Sequence, residues 1–201
     1  MLNLYREYLE EELNADGVVV NYKFHVPDSF NFAYDVVDRL ADAEPDRRAM
    51  LWCNEAGDKR TFSFADFKRE IDRCAAFFLS LGIRKGDKVM LILKRHYQFW
   101  FSILALHKIG AVAIPATNQL LAKDLLYRFK AADVGAIVCT ADGNVAENVE
   151  QAALDYERPL AKIIVHQKRP GWRSFEEGLN QAPPFVRPAG EAGDLDVLEA
   201  V

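Results

Sequence analysis

Long apolar runs, paired cysteines, a basic stripe and the common nucleotide signatures are all missing from this sequence of 201 residues. No stretch reaches the ~18 apolar residues that a membrane-spanning helix needs, so a membrane span is excluded. There are three cysteines, Cys53, Cys74 and Cys139, far apart and without CxxC spacing. That pattern predicts reduced thiols and argues against a disulfide framework or a cysteine-held metal. The four histidines, His25, His96, His107 and His166, show no HExxH or other metal spacing, so no metal ligand is expected. His107, near the end of an apolar stretch, reads as a helix-terminal residue at the edge of the core. Acidic residues outnumber basic ones by 30 to 25. The densest basic stretch, His166-Gln167-Lys168-Arg169, is too short for a nucleic-acid face, and no nucleic-acid partner is expected. The N-terminal stretch runs into Glu10-Glu11-Glu12, unlike a secretory or transit peptide, so a cytoplasmic location is expected. GxGxxG, GxxxxGK[ST] and GxSxG are all absent. Their absence removes the dinucleotide fingerprint, the ordinary phosphate loop and the serine nucleophile elbow.

Half the residues are hydrophobic and 27% are charged, a globular balance. Residues 1–29 read as a lead-in, with Tyr5, Leu9 and Leu13 at helical spacing. Pro27-Asp28-Ser29 is a turn before a helix bearing Phe32, Val36, Val37 and Leu40, which Glu44-Pro45-Asp46 stops. Two extended runs, Ala49–Cys53 and Arg60–Ser63, flank the turn Glu55–Asp58 and predict an antiparallel hairpin at the edge. Ser63 and Asp66 stand at capping-box spacing ahead of a helix with Phe67, Ile71, Cys74 and Phe78 on one stripe, and Gly82 suits its left-handed end.

Beyond residue 88 the pattern changes. Continuous apolar runs at Val89–Leu93, Ala111–Pro115, Ala136–Cys139 and Ile163–Val165 alternate with helical stretches near 96–109, 120–133 and 143–156. A further short helix begins near Ser174. This alternation predicts an α/β fold with a mostly parallel sheet covered on both faces. The aromatic cluster Phe77, Phe78, Phe99, Trp100, Phe101 reads as core. Thr117, Asn118 and Gln119 would stand at the carboxyl edge of the sheet, beside a helix N-terminus. Simple helix capping by Thr117 or Asn118 is the plainer account of them. Residues 181–201, rich in Pro and Gly and then apolar again from Leu195 to Val201, read as a linker and the start of another element.

In order and spacing, several segments resemble the AMP-forming acyl-CoA synthetases of the adenylate-forming ligase superfamily. They are Phe30-Asn31-Phe32-Ala33, Thr61-Phe62-Ser63-Phe64, Leu81–Val89 with its Gly86-Asp87 turn, and Gly110–Pro115. Pro115–Leu120 with Ala122–Arg128, and Gly171-Trp172 with Phe175, look closest to the medium-chain branch. The resemblance runs from about residue 28 onward. It implies an incomplete portion of that family's large N-terminal domain, with residues 1–29 as lead-in, 30–180 as an α/β subdomain and 181–201 as a linker into the next subdomain. It implies a ligase chemistry in which ATP and a carboxylic acid give an acyl-adenylate, and coenzyme A then displaces AMP. In the full-length enzyme ATP, Mg²⁺ and coenzyme A would take part. The family's Ser/Thr/Gly-rich phosphate loop ending in Lys, its Tyr-Gly-x-Thr-Glu segment and its ribose-binding Asp have no counterpart here. The chain is therefore expected to be an N-terminal fragment, inactive alone, with no catalytic residue of its own. Gln119 matches a family position that contacts coenzyme A and is the one cofactor-binding residue carried over. Self-association through an exposed docking face is also expected. The rival reading is a non-catalytic α/β interaction or small-molecule-binding domain.

Overall fold

The computed structural model describes residues 3–189. Five strands form one parallel sheet: β5 (Lys88–Ile92), β6 (Val112–Pro115), β7 (Ala136–Cys139), β8 (Ala161–Ile164) and the short β9 (Arg173–Ser174), in the order β6-β5-β7-β8-β9. The four apolar runs of the sequence are the first four of these strands. Their side chains are buried on both faces because helices cover both. On one side α2 (Phe64–Ser80), α3 (Gln98–Ile109) and α6 (Phe175–Gln181) close over Ile71, Phe78, Leu91, Phe101 and Val138. On the other, α4 (Ala122–Ala132) and α5 (Val145–Leu154) close over Met90, Ile92, Phe129, Ile137 and Val149. Each fully buried side chain of this kind contributes about 1.5–3 kcal/mol through removal of apolar surface from water. The two-residue β9 carries no run long enough to signal a strand.

α2 starts as its sequence predicts. The Ser63 hydroxyl accepts the Asp66 amide at 3.1 Å, and the Asp66 carboxylate accepts the Ser63 amide at 3.0 Å. Gly82, just past its end, has φ +88°, a conformation in which a Cβ would be strained. At the sheet's far edge the Ser174 hydroxyl accepts from the Glu177 amide at 3.3 Å at the start of α6. There α6 lies so close on α2 that a Cβ at Gly178 would stand 2.3 Å from the Phe77 ring.

The first thirty residues depart from expectation. The stretch read as a helix through Tyr5, Leu9 and Leu13 is a short 3₁₀ turn (Leu4–Glu7) followed by an antiparallel hairpin of β1 (Leu9–Leu13) and β2 (Val19–Phe24). Val18, Val19 and Val20 lose χ1 freedom in a helix and favour extended backbone, and the Asn14–Gly17 turn lets the chain fold back. The next helical segment begins as a wider π-type coil (Ala33–Asp38) before continuing as α1 (Arg39–Ala43). The predicted hairpin, β3 (Arg48–Cys53) with β4 (Lys59–Ser63), is present as a two-stranded sheet of its own and is not hydrogen-bonded to the parallel sheet as an edge. Trp100, expected in the core with Phe77, Phe78, Phe99 and Phe101, is half exposed.

Residues 182–189 adopt no regular element but pack back onto the domain. Phe185 rests against the core, and the Arg187 guanidinium lies 4.0 Å above the Tyr34 ring. The apolar text from Leu195 to Val201 lies outside the described residues.

A charge cluster ties α5 to the loop before β9. Arg169 donates to both oxygens of Glu150, at 2.8 and 2.7 Å, and to Glu147 at 2.9 Å, while Trp172 Nε1 donates to Glu150 at 2.7 Å. The Arg169 and Trp172 hydrogen bonds hold the Glu150 carboxyl down to about 2 from its ordinary 4.5. Because the folded value is the lower one, this stabilisation is fully present above pH 4.5. It is lost as pH falls from 4.5 toward 2. Wild type should therefore lose more thermal stability across that window than Arg169→Gln, as differential scanning fluorimetry would read. Parallel acid slopes in the two proteins would contradict the assignment.

Candidate functional site

In an open parallel sheet the helices cannot cover the place where strand order reverses, and a crevice opens there at the carboxyl ends. Here β6 is laid down on one side of β5, whereas β7, β8 and β9 follow on the other. The reversal lies between β5 and β7, and the residues leaving these strands meet. His96 Nε2, after β5, lies 2.7 Å from the Thr140 hydroxyl, after β7. The same hydroxyl oxygen accepts the Asp142 amide at 3.0 Å. His166, after β8, brings its ring centroid within 5.2 Å of His96. Gln98 Nε2 lies 2.9 Å from His166 Nε2 and donates to Glu176 Oε1 at 3.1 Å. The His166 amide donates to Glu176 Oε2 at 3.1 Å.

Burial lowers the His96 pKa below its ordinary 6.5, against the opposing pull of Asp142. The imidazole is thus mostly neutral near pH 7, and its Nε2 either donates or accepts a hydrogen bond according to the tautomer. Lys94 and His166 have positive φ, 45° and 60°. A left-handed conformation costs a non-glycine residue about 1–3 kcal/mol and is held only where the surroundings over-determine it. Two of the three such residues among the described ones thus lie at strand exits, the third, Asp133, ending α4.

A cleft of about 610 Å³ opens over this edge, walled by Lys94, Arg95, His96, Asp142 and His166 on the sheet side and by Trp52, Cys53, Glu55 and Asp58 from the β3–β4 hairpin and its turn. Trp52 Nε1 donates to the Arg95 carbonyl at 2.7 Å, which fixes the hairpin wall to the strand exit. Beside it a recess of about 300 Å³ is lined by Lys94, Arg95, Phe99, Ala116, Thr117 and Asn118. The arrangement offers mixed charge to a polar ligand, with Lys94 and Arg95 beside the carboxylates of Glu55, Asp58 and Asp142, the His96 imidazole among them, and the Thr117 and Asn118 side chains in the adjoining recess.

Gln119 lies in the turn after β6, exposed, with its backbone amide donating to the Thr117 hydroxyl at 3.3 Å. It stands one residue beyond the lining of the smaller recess. Thr117 and Asn118 do not cap α4. Leu121 occupies the cap position, and the Asp124 carboxylate accepts its amide at 3.2 Å. Asn148 of α5 holds the turn by donating to the Leu120 carbonyl at 3.1 Å. His107 is buried in the last turn of α3, and its carbonyl accepts from Asn31 Nδ2 at 2.8 Å, away from the cleft. The His96–Thr140–His166 grouping is not visible in the sequence as a motif. Its signal is positional, since each residue falls one to three places after an apolar run of strand length. Among the described residues no group of three or more His, Cys, Asp or Glu side chains is placed to hold a metal ion.

Residues 37–195 match the family model described as AMP-binding enzyme. The chain is 36% identical over 167 residues to Acyl-coenzyme A synthetase ACSM5, mitochondrial, of Rattus norvegicus, with 79% of this chain and 28% of that protein covered. It is 32% identical over 177 residues to Acyl-coenzyme A synthetase ACSM3, mitochondrial, of Homo sapiens, covering 84% and 30%. In structure it resembles a benzoate CoA ligase from Burkholderia xenovorans LB400, with a TM-score of 0.65, 21% identity, and 80% of this chain and 30% of that one covered. The last likeness bears on the fold alone. The chain spans less than a third of the length of each of these proteins.

Proposed function

Because the chain belongs to the AMP-binding enzyme family, we propose that it is the N-terminal portion of an acyl-CoA synthetase and shapes one wall of the active site. In this reading the whole enzyme converts ATP, a carboxylic acid and coenzyme A to acyl-CoA, AMP and pyrophosphate. The observation that carries the reading is the family match across residues 37–195, which includes every strand of the parallel sheet. Transfer of an adenylyl group requires donors and cations arranged around developing phosphate charge. The phosphate loop, the ribose-binding Asp and the acid for Mg²⁺ are missing from these 201 residues. No step assigned to this chain's own residues runs through Mg²⁺. What the chain supplies is position. The β6 exit presents Gln119, whose amide is proposed to hydrogen-bond the pantetheine arm of coenzyme A. The boundaries proposed with this reading are 1–29, 30–180 and 181–201.

The partly exposed apolar surface of Leu51, Trp52, Phe99 and Trp100 supports a docking face on the same side, through which self-association is proposed. The free thiols support a reducing compartment, here taken as the cytoplasm, whereas the relatives' own names place those proteins in mitochondria. Among the described residues no helix is long and apolar enough to cross a membrane.

The rival reading, a small-molecule-binding or interaction domain without catalysis, is favoured by one observation, the 610 Å³ cleft that the chain builds unaided. Pyrophosphate release from MgATP with short, medium and aromatic carboxylic acids, with and without coenzyme A, tests the first reading. The expected result is no release above the protein-free control. Turnover at ordinary ligase rates, about 1 s⁻¹ or faster, would overturn the division of labour proposed here.

A further inference from the structure

The two imidazoles of the cleft each turn one ring nitrogen toward a buried side chain. His96 Nε2 lies 2.7 Å from the Thr140 hydroxyl, and His166 Nε2 lies 2.9 Å from Gln98 Nε2. Thr140 is 0% exposed and Gln98 1%. With solvent shut out, the hydrogen atoms at both contacts follow from what each neighbour can donate or accept.

Thr140 has one proton to give. Its oxygen accepts the Asp142 amide at 3.0 Å, and a backbone amide only donates. His96 Nε2 is the one acceptor beside the hydroxyl among the described residues. Thr140 therefore donates, and the His96 Nε2 lone pair receives the bond. A proton on Nε2 would instead leave a wholly buried hydroxyl hydrogen without an acceptor, a state that native interiors avoid. The Asp142 carboxylate stands 3.6 Å from the same nitrogen, too far for a hydrogen bond to hold a proton there.

Gln98 reaches the same result by another route. Its Nε2 donates to Glu176 Oε1 at 3.1 Å. Turning the amide over would set its carbonyl oxygen against that carboxylate oxygen, so Glu176 fixes which end faces His166. An amide NH₂ has nothing to accept with, and His166 Nε2 is left as the acceptor. Glu176 also steadies His166 directly. Its Oε2 accepts the His166 backbone amide at 3.1 Å, and its Oε1 lies 3.5 Å from His166 Nδ1, where the ring proton then sits. The Gln98 carbonyl oxygen stays buried and unpartnered among the described residues, which marks an amide held by its other end.

We propose that Thr140 and Gln98 are positioning residues that lock both imidazoles with the proton on Nδ1, and that His96 Nδ1–H is the hydrogen-bond donor the cleft offers to an acceptor oxygen of its ligand. His96 Nδ1 makes no hydrogen bond among the described residues. His166 has one nitrogen on Gln98 and the other beside Glu176. It serves as a ring wall against His96 and Tyr97, with centroids at 5.2 and 6.1 Å. Thr140 is too deeply buried to attack a molecule in the cleft, so its contact with His96 orients the ring and does not activate a nucleophile. Both imidazoles keep these roles whether the cleft serves a ligase or a binding domain.

Long-range proton–nitrogen correlation on the isotopically labelled chain at about pH 8.5, above an ordinary histidine pKa, reads the tautomers directly. In wild type, Nδ1 of both residues should resonate as a protonated, pyrrole-type nitrogen and Nε2 as a pyridine-type one. Thr140→Val should shift His96 toward the Nε2-protonated form, while Thr140→Ser keeps the wild-type pattern. Gln98→Met should shift His166 in the same sense. The wild-type spectrum alone decides the tautomers if a variant fails to fold. Acetate should displace the His96 Nδ1 resonance of wild type, whereas methylammonium, which only donates, should leave it in place. A proton on Nε2 of either residue in wild type, unchanged nitrogen shifts in folded Thr140→Val and Gln98→Met, or a His96 Nδ1 that answers acetate no more than methylammonium would each overturn the proposal.

Discussion

Lys108→Met is expected to lower the unfolding free energy by about 2–3 kcal/mol, below the roughly 3–5 kcal/mol of a wholly uncompensated buried charge because Lys68 still faces Asp38. The Lys108 side chain is only 1% exposed. Its ammonium donates to both oxygens of Asp38 at 2.7 Å and to Asp72 at 2.6 Å. Lys68 reaches the same Asp38 at 2.9 Å. The Tyr34 ring lies 5.1 Å below the Lys108 ammonium, and the Tyr34 hydroxyl donates to the Lys108 carbonyl at 3.0 Å. One residue thus joins the start of the domain, α2 and the end of α3. Urea unfolding would read the loss. The double variant Lys108→Met, Asp38→Leu should recover part of it, because one of the stranded charges is removed with its partner. A loss below 1 kcal/mol in the single variant would mean that water reaches the cluster and that it is not the joint described here.

Phe129→Ala should cost more, about 3–5 kcal/mol, through lost transfer energy and a residual cavity. Phe129 is fully buried on the inner face of α4 and packs against Tyr156 at 5.5 Å between ring centroids. The Tyr156 hydroxyl in turn donates to the Val134 carbonyl at 2.9 Å, beside the entrance of β7. This core holds α4, and α4 holds the turn that presents Thr117, Asn118 and Gln119. Chemical denaturation would measure the cost, and Phe129→Leu should show a smaller one because it leaves less empty volume. Equal, small effects from both substitutions would indicate that α4 moves to fill the space.

The parallel sheet was legible because burial on both faces leaves uninterrupted apolar runs, as at Val89–Leu93, which no half-exposed strand produces. α2 was legible for a different reason. Ser63 and Asp66 carry their capping chemistry in the chain itself, independent of tertiary contacts. The N-terminal hairpin was misread because Tyr5, Leu9 and Leu13 happen to share a helical spacing. The run of β-branched residues at Val18–Val20, a better guide, was outweighed. Gln119 was carried over from the family resemblance, and only its place in the turn after β6 follows from the order of elements along the chain. His96, Thr140 and His166 could not be grouped from the sequence, because their proximity depends on strand order β6-β5-β7-β8 and no linear spacing encodes that order. Lys108 was invisible for a similar reason, since its partners Asp38 and Asp72 are 70 and 36 residues away.

The proposed function separates the scaffold of residues 3–189 from a nucleotide grip whose motifs have no counterpart in these 201 residues. Isothermal titration of the chain with ATP, in the presence and absence of Mg²⁺, tests that division most directly. The account predicts no measurable heat of binding in either condition. A saturable, magnesium-dependent isotherm in the micromolar range would contradict it.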